Sequence, residues 1–296
     1  MVDLRDALFE SIYEYARSDE KVIFLTADAD AFVLKKFRND FPNRFINIGV
    51  AEQNAVLVAT GLAMAGFKPY VYSITPFITA RCYEQIKVNV CSMNLPITLI
   101  GLGAGFSFSF DGPTHHAISD IAIMRTLPEM TILNTSDVNT VKECSRLSYE
   151  SKTPSYIRLD KGIFPIIGKE FQNGFRVLKH LSKMNMISTG TIIHSVYELA
   201  GKLCLGLVDM YQLKPFNEKF LSEIIHISDK IIVVEENVIN GAVCTIVLEH
   251  MAKMGVNKPL IRIALEDKQY FDYADQQWIR SKYGLTPESI EQRLCS

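Results

Sequence analysis

The sequence predicts an α/β protein with two open α/β domains, a mostly parallel one followed by a smaller one. Three observations carry this. Short apolar runs of strand length alternate with helical-period segments along the chain. The alternation lapses between Asp160 and Gly174 into glycine, proline and charge, then resumes. The 296 residues, 48% of them hydrophobic, suit one large or two ordinary domains with substantial cores. The expected domains are 1–162 and 175–296.

In the first half, Lys21–Thr26 reads as a strand and Phe32–Asn39 as a helix. An extended apolar segment (Phe45, Ile46, Ile48) leads into a helix of small residues running from Ala55 to Gly66. Lys68–Ile74 is a strand ahead of a helix over Pro76–Met93, and Pro96–Gly101 is a strand entering a long Gly/Ser/Phe loop. The strand Met130–Asn134, the helix Val138–Tyr149 and the strand Ser155–Leu159 end this half. Strands joined through helices need right-handed crossovers, hence a mostly parallel sheet covered on both faces. The second half reads as strands at Phe175–Leu178, Met186–Ser188, Gly206–Met210, Lys230–Glu235 and Leu260–Ile263. Its helices are Ile192–Leu203, Glu218–Ile227, Ala242–Met254, Ala274–Tyr283 and Pro287–Leu294.

Several functions are disfavoured at this level. Net charge is −2 with both signs scattered, so no basic stripe points to nucleic acid. No apolar run is long enough to span a bilayer, and Met1–Asp6 carries no signal-peptide pattern. The six cysteines are widely spaced without a Cys-x-x-Cys pair, which predicts reduced, mostly buried thiols in a cytoplasmic protein.

Open parallel sheets bind ligands at the carboxyl ends of their strands. The polar residues of interest sit on or near those loops: Asp28, Glu52, Arg81, Asp111, His115 and Arg158. Glu52 lies between an extended segment and a helix, where a sheltered carboxyl costs free energy unless it has a partner. Local physics leaves two readings open, a functional carboxyl and a helix-start glutamate favoured by the macrodipole. The loop Gly101–His116 ends in Asp-Gly-Pro-Thr-His-His and lacks a dinucleotide fingerprint. Adjacent histidines seldom converge on one ion and no zinc spacing accompanies them, so no metal ligands are assigned; acid–base or hydrogen-bonding work on a polar substrate fits better. Phe77 suits either core packing or presentation to a flat ring, and Arg158 either surface charge or anion binding.

The stretches Gly-Val-Ala-Glu-Gln-Asn (49–54), Tyr-Ser-Ile-Thr-Pro-Phe (72–77), Asp-Gly-Pro-Thr-His-His (111–116) and Val-Val-Glu-Glu-Asn (233–237) together resemble the C-terminal half of transketolase. The resemblance covers nearly the whole chain. It is strongest to short split transketolase subunits and extends to 1-deoxy-xylulose-5-phosphate synthase. It implies a pyrimidine-binding domain followed by a transketolase C-terminal-type domain, and dependence on thiamine diphosphate. By resemblance, Glu52 hydrogen-bonds the cofactor's aminopyrimidine, Phe77 packs on that ring and Asp28 lies near the cofactor. Asp111 and His115 contact substrate oxygens, Arg158 grips the substrate phosphate, and Arg81 aligns with a second phosphate-binding arginine, displaced by one residue.

The family's diphosphate site needs a divalent metal held by a Gly-Asp-Gly motif, which this chain lacks. The resemblance therefore implies an N-terminal partner subunit carrying Mg2+ and the diphosphate, in a two-plus-two assembly, inactive without it. The implied activity is transfer of a two-carbon ketol unit between phosphorylated sugars in carbohydrate metabolism. Competing readings are a synthase-type decarboxylating condensation, a 2-oxoacid dehydrogenase β-type subunit and a non-catalytic partner protein. Two departures stand out. Asp28-Ala29-Asp30-Ala31-Phe32 replaces the usual Asp-Leu-Gly, adding charge and bulk near the expected substrate channel, and the Leu203–Gly206 connection is short.

Overall fold

A computed structural model describes residues 2–29 and 31–295. The first half contains α1 (Leu4–Ser18), β1 (Val22–Thr26), α2 (Leu34–Asp40), β2 (Phe45–Asn47), α3 (Glu52–Met64), β3 (Lys68–Ile74), α4 (Thr75–Ile78), α5 (Tyr83–Gln85), β4 (Thr98–Leu102), α6 (Asp120–Arg125), β5 (Thr131–Asn134), α7 (Val138–Glu150) and β6 (Ser155–Leu159). The second contains β7 (Phe175–Lys179), β8 (Met184–Ser188), α8 (Ile193–Lys202), β9 (Gly206–Met210), β10 (Gln212–Lys214), α9 (Glu218–Ile227), β11 (Lys230–Val238), α10 (Val243–Lys253), β12 (Leu260–Leu265), α11 (Gln276–Lys282) and α12 (Pro287–Cys295).

The described residues form a seven-stranded sheet, ordered β10-β5-β6-β4-β3-β1-β2, and a five-stranded sheet, ordered β12-β11-β8-β9-β7. Pairings within the first sheet are parallel except at β10, and within the second except at β7. The strands read as continuous apolar runs because both faces are covered. Val22, Phe24, Tyr70, Tyr72, Ile100 and Ile157 pack in one layer with Leu4, Leu8 and Ile12 of α1. Their neighbours Ile23, Leu25, Val71 and Leu99 join Ala55, Val56 and Ala59 of α3. That second layer continues without a break into Ile187, Val208, Ile231 and Val233 of the other sheet.

Four features differ from the sequence reading. Helix α1, capped by the Asp3 carboxylate accepting from Arg5 N–H at 2.8 Å, was not anticipated, nor was the short α6. The helix expected over 76–93 is broken after Ile78, restarts at Tyr83 and runs as a π-helix over Ile86–Cys91. Strand β10 leaves the second half of the chain and pairs antiparallel with β5, so a segment beyond residue 175 completes the first sheet. An uncovered β5 would be an open edge, and β10 closes it. The short connection after α8 is Leu203–Leu205, with Cys204 at φ 52° and Leu205 N–H bonded back to Ala200 O.

A fully buried ionic cluster ties the halves together. Arg176 on β7 reaches Asp137, the N-cap of α7, at 2.9 Å and Asp209 on β9 at 2.7 Å. It also donates to Ser136 Oγ and to Gly168 O in the connecting segment. Asp209 is pushed above the usual carboxylate range by burial, an effect the adjacent guanidinium opposes. Replacing one member of such a cluster strands the others in a dry interior. Arg176→Met is expected to lose roughly 3–5 kcal/mol of stability, read as a drop in the urea midpoint. A loss under about 1 kcal/mol would mean that the cluster is not a structural lock.

Candidate functional site

Helix α3 begins at Glu52 with no side-chain cap, and its backbone direction brings the carboxylate inward, where only 2% of the residue is exposed. Ser73 on β3 donates to Glu52 Oε1 at 3.3 Å, and Arg81 Nη1 pairs with Oε2 at 2.8 Å. The break after α4 creates this arrangement, because it turns Phe77 and Arg81 toward the same rim. The Arg81 guanidinium stacks on the Phe77 ring at 4.1 Å from its centroid. His115 meets Phe77 edge-on at 4.9 Å. Glu52, Phe77, Arg81 and His115 are therefore one constellation built from three separate segments.

The loop after β4 supplies His115, and both domains hold it. Gly105 and Ala117 exchange backbone hydrogen bonds at 3.0 and 2.9 Å. Val238 N–H donates to Ile118 O at 2.8 Å from the second domain. Beneath Gly105 lies Glu236, bound by Arg280 through Nε at 2.8 Å and Nη2 at 2.6 Å. Gly105 has φ 58°, and a Cβ there would stand 2.3 Å from Glu236 Oε2. His115 Nδ1 lies 3.0 Å from Thr114 Oγ1, and the ring is half-buried. His116 turns away, buried edge-on against Phe106 at 4.9 Å, and burial lowers its basicity. The two histidines thus face different directions, and among the described residues no cluster of three or more His, Cys, Asp or Glu could hold a metal ion.

Asp111 is exposed at the tip of the same loop, in a 3-10 turn over Ser109–Asp111. Asp28, at φ 57°, is held apart from the Glu52 group: its N–H donates to Asn47 Oδ1, and Asn47 Nδ2 donates back to its carboxylate. Asn47 Oδ1 also accepts from Gly49 N–H, so the pair shapes the turn leading to Glu52. Asp28 and Asn47 line a cavity of about 350 Å³ with Thr26, Arg38 and Phe45. Phe32 is 81% exposed, with the Lys35 ammonium 4.7 Å from its ring centroid, and Asp30 lies outside the described residues.

Arg158, expected at the rim, is instead inside. It is 3% exposed, with Nε on Asp120 at 2.8 Å and Nη2 on Ala117 O at 2.7 Å. Tyr156 OH shares the same Asp120 oxygen. Arg158 is within β6, an interior strand covered on both faces, so its side chain braces the 117–120 segment. The exposed cation at this strand end is Lys161, whose ammonium lies 4.3 Å from the Phe108 ring centroid. Phe108 in turn approaches His115 at 6.2 Å. The residue before Lys161, Asp160, is buried and accepts from Thr191 Oγ1 of the second domain at 2.6 Å. The sequence reading missed Ser73, Lys161 and the Glu236–Arg280 pair. For Lys161 the signal was its position just past an apolar strand on the binding rim.

Residues 1–166 match the family model described as transketolase, pyrimidine binding domain, and residues 175–290 match transketolase, C-terminal domain. The chain is 32% identical over 304 residues to 1-deoxy-D-xylulose-5-phosphate synthase 1 of Geobacter metallireducens, covering 96% of this chain and 47% of that protein. It spans about half the length of the curated relatives it matches. A solved structure described as split gene transketolase, inactive beta4 tetramer, superimposes with TM-score 0.86 at 26% identity, covering 98% and 95% of the two chains. A transketolase from Campylobacter jejuni superimposes at TM-score 0.78 and 17% identity, which is likeness of fold.

The packing under the loop generates a prediction. Gly105→Ala forces a methyl against a buried carboxylate in a left-handed conformation. A loss of roughly 1–3 kcal/mol is expected in chemical denaturation. An unchanged midpoint would show that Glu236 can yield.

Proposed function

The chain belongs to the transketolase family in both of its domains, and from that premise we propose that it is the pyrimidine-binding subunit of a thiamine-diphosphate-dependent transketolase. It would transfer a two-carbon ketol unit between phosphorylated sugars. The observation that carries this reading is the buried Glu52 carboxylate beside Phe77 and His115 on the binding rim. A sheltered carboxyl next to an aromatic face fits the ring half of the cofactor. When bound, the cofactor supplies the carbon nucleophile that accepts and passes on the two-carbon unit.

Each residue of this chain has a part. Glu52, oriented by Ser73, holds and shares a proton with a ring nitrogen. Phe77 offers its face to that ring. His115 exchanges a proton with a substrate hydroxyl or carbonyl oxygen, and Asp111 accepts from a sugar hydroxyl. Asp28 acts through Asn47 on the turn before Glu52. Lys161 takes the anion-binding role expected of Arg158, because it is the exposed cation of the two.

The same reading assigns Mg2+ and the diphosphate to an N-terminal partner subunit in a two-plus-two assembly. The structural neighbour's description as a beta4 tetramer supports self-association as a property of such chains. In this chain Val50, Leu57 and Met64 are exposed around α3, and Glu52 is the single ionisable residue between Ile48 and Phe67. An uncharged apolar surface of this kind suits burial in an assembly.

A second reading is favoured by the curated relatives, which are 1-deoxy-D-xylulose-5-phosphate synthases. That reaction class joins a 2-oxoacid to an aldose phosphate with release of carbon dioxide. Mixing the chain with its N-terminal partner, thiamine diphosphate and Mg2+ separates the two. Ketol transfer from a ketose phosphate supports the first; carbon dioxide release from a 2-oxoacid, coupled to condensation, supports the second; neither would sink both.

In that complex, Glu52→Ala should abolish cofactor-dependent turnover, with both sheets intact by circular dichroism. Lys161→Ala should raise KM at least about tenfold for phosphorylated substrates and little for unphosphorylated ones. Arg158→Ala should instead lower thermal stability. An effect of Lys161→Ala on kcat alone would remove it from anion binding.

A further inference from the structure

We propose that Arg81 is a place-holder for the aminopyrimidine ring: its guanidinium occupies the space between Glu52 and Phe77, and the arriving ring displaces it toward the substrate side of the rim. This rests on the reading above and adds a coupling between cofactor and substrate that the reading does not contain.

Three contacts carry it. Arg81 Nη1 lies 2.8 Å from Glu52 Oε2, and the guanidinium carbon lies 4.1 Å from the Phe77 centroid. Gln53 Nε2 donates to Arg81 O at 3.0 Å, so the backbone from which the side chain swings is fixed to the start of α3. A guanidinium is planar and carries N–H donors around its edge. An aminopyrimidine is also planar, with an amino donor and ring nitrogens. Both need the same two surfaces, an aromatic face and a carboxylate oxygen. A group stacked at 4.1 Å leaves no room for a ring on that face of Phe77.

The exchange is physically balanced. Glu52 is almost fully buried, and its other bond, from Ser73, is long at 3.3 Å. A buried carboxyl without good partners is costly, and the Ser73 hydroxyl alone offers little compensation. Arg81 supplies that compensation while its side chain stays 44% exposed, so release returns a largely hydrated group to water. Once displaced it stands on the same rim as Lys161 and His115, as a second cation for an anionic substrate. Cofactor binding thereby readies the site for substrate, and the order of binding follows from one side chain.

The test measures thiamine diphosphate affinity by calorimetry, with Mg2+ and the N-terminal partner present, for wild type, Arg81→Met and Arg81→Lys. Arg81→Met keeps the aliphatic stem and removes the competitor, so affinity should rise roughly three- to tenfold while KM for phosphorylated substrate also rises. Arg81→Lys should likewise bind cofactor more tightly than wild type, because an ammonium cannot both stack and donate in that plane. Equal or weaker cofactor affinity in Arg81→Met overturns the place-holder. So does wild-type affinity in Arg81→Lys, which would reduce the effect to charge alone. No cofactor uptake by the wild-type complex would instead defeat the function proposed above.

Discussion

Arg176 bonds the two domains together in their buried interior. Its guanidinium sits in a dry interior between Asp137 at the start of α7 and Asp209 on β9, so one residue of the second sheet is bonded to the first domain and to its own. Charges are costly to bury, and this cluster is tolerated because hydrogen bonds satisfy the guanidinium on all sides. Its consequence is geometric. The apolar layer between the sheets is continuous, and apolar contact alone does not fix how two layers are rotated. Directional bonds do, and the loop carrying His115 depends on that orientation because it is gripped from both sides.

Electrostatics at the rim follow from the same logic at smaller scale. The segment around α3 holds a single ionisable group, Glu52, and folds it inward. A lone buried carboxylate needs a cation or a shared proton. Here the cation is Arg81; in the proposed working state it is replaced by a shared proton on a ring. His115 and His116 illustrate how one residue of difference along a loop separates roles. One ring faces Phe77 at the open rim, the other is enclosed against Phe106, where burial lowers its basicity.

The strand–helix alternation was legible, as were Glu52, Phe77 and His115 as candidates that the fold gathers around Arg81, because these depend on local patterning and compact motifs. What was not legible came from long-range packing. The edge strand Gln212–Lys214 has no distinguishing sequence, and its pairing with β5 exists only because the second domain folds back. The break between Ile78 and Tyr83 looked like helix interior, since nothing local except Pro76 marks it. Ser73 and Glu236 lie in recognisable stretches, but their tasks emerge only when the fold brings them under Glu52 and Gly105.

Arg158 and Lys161 show the boundary most sharply. Three residues apart, both are cations at the carboxyl end of β6, the end at which open parallel sheets generally take ligands. The sequence by itself determined the class of fold, the rim and the residue types available on it, because periodicity and motif spacing are properties of the chain. Which cation faces water and which is locked to Asp120 was decided only in the tertiary structure, since burial depends on what packs over a strand end and that covering comes from distant segments.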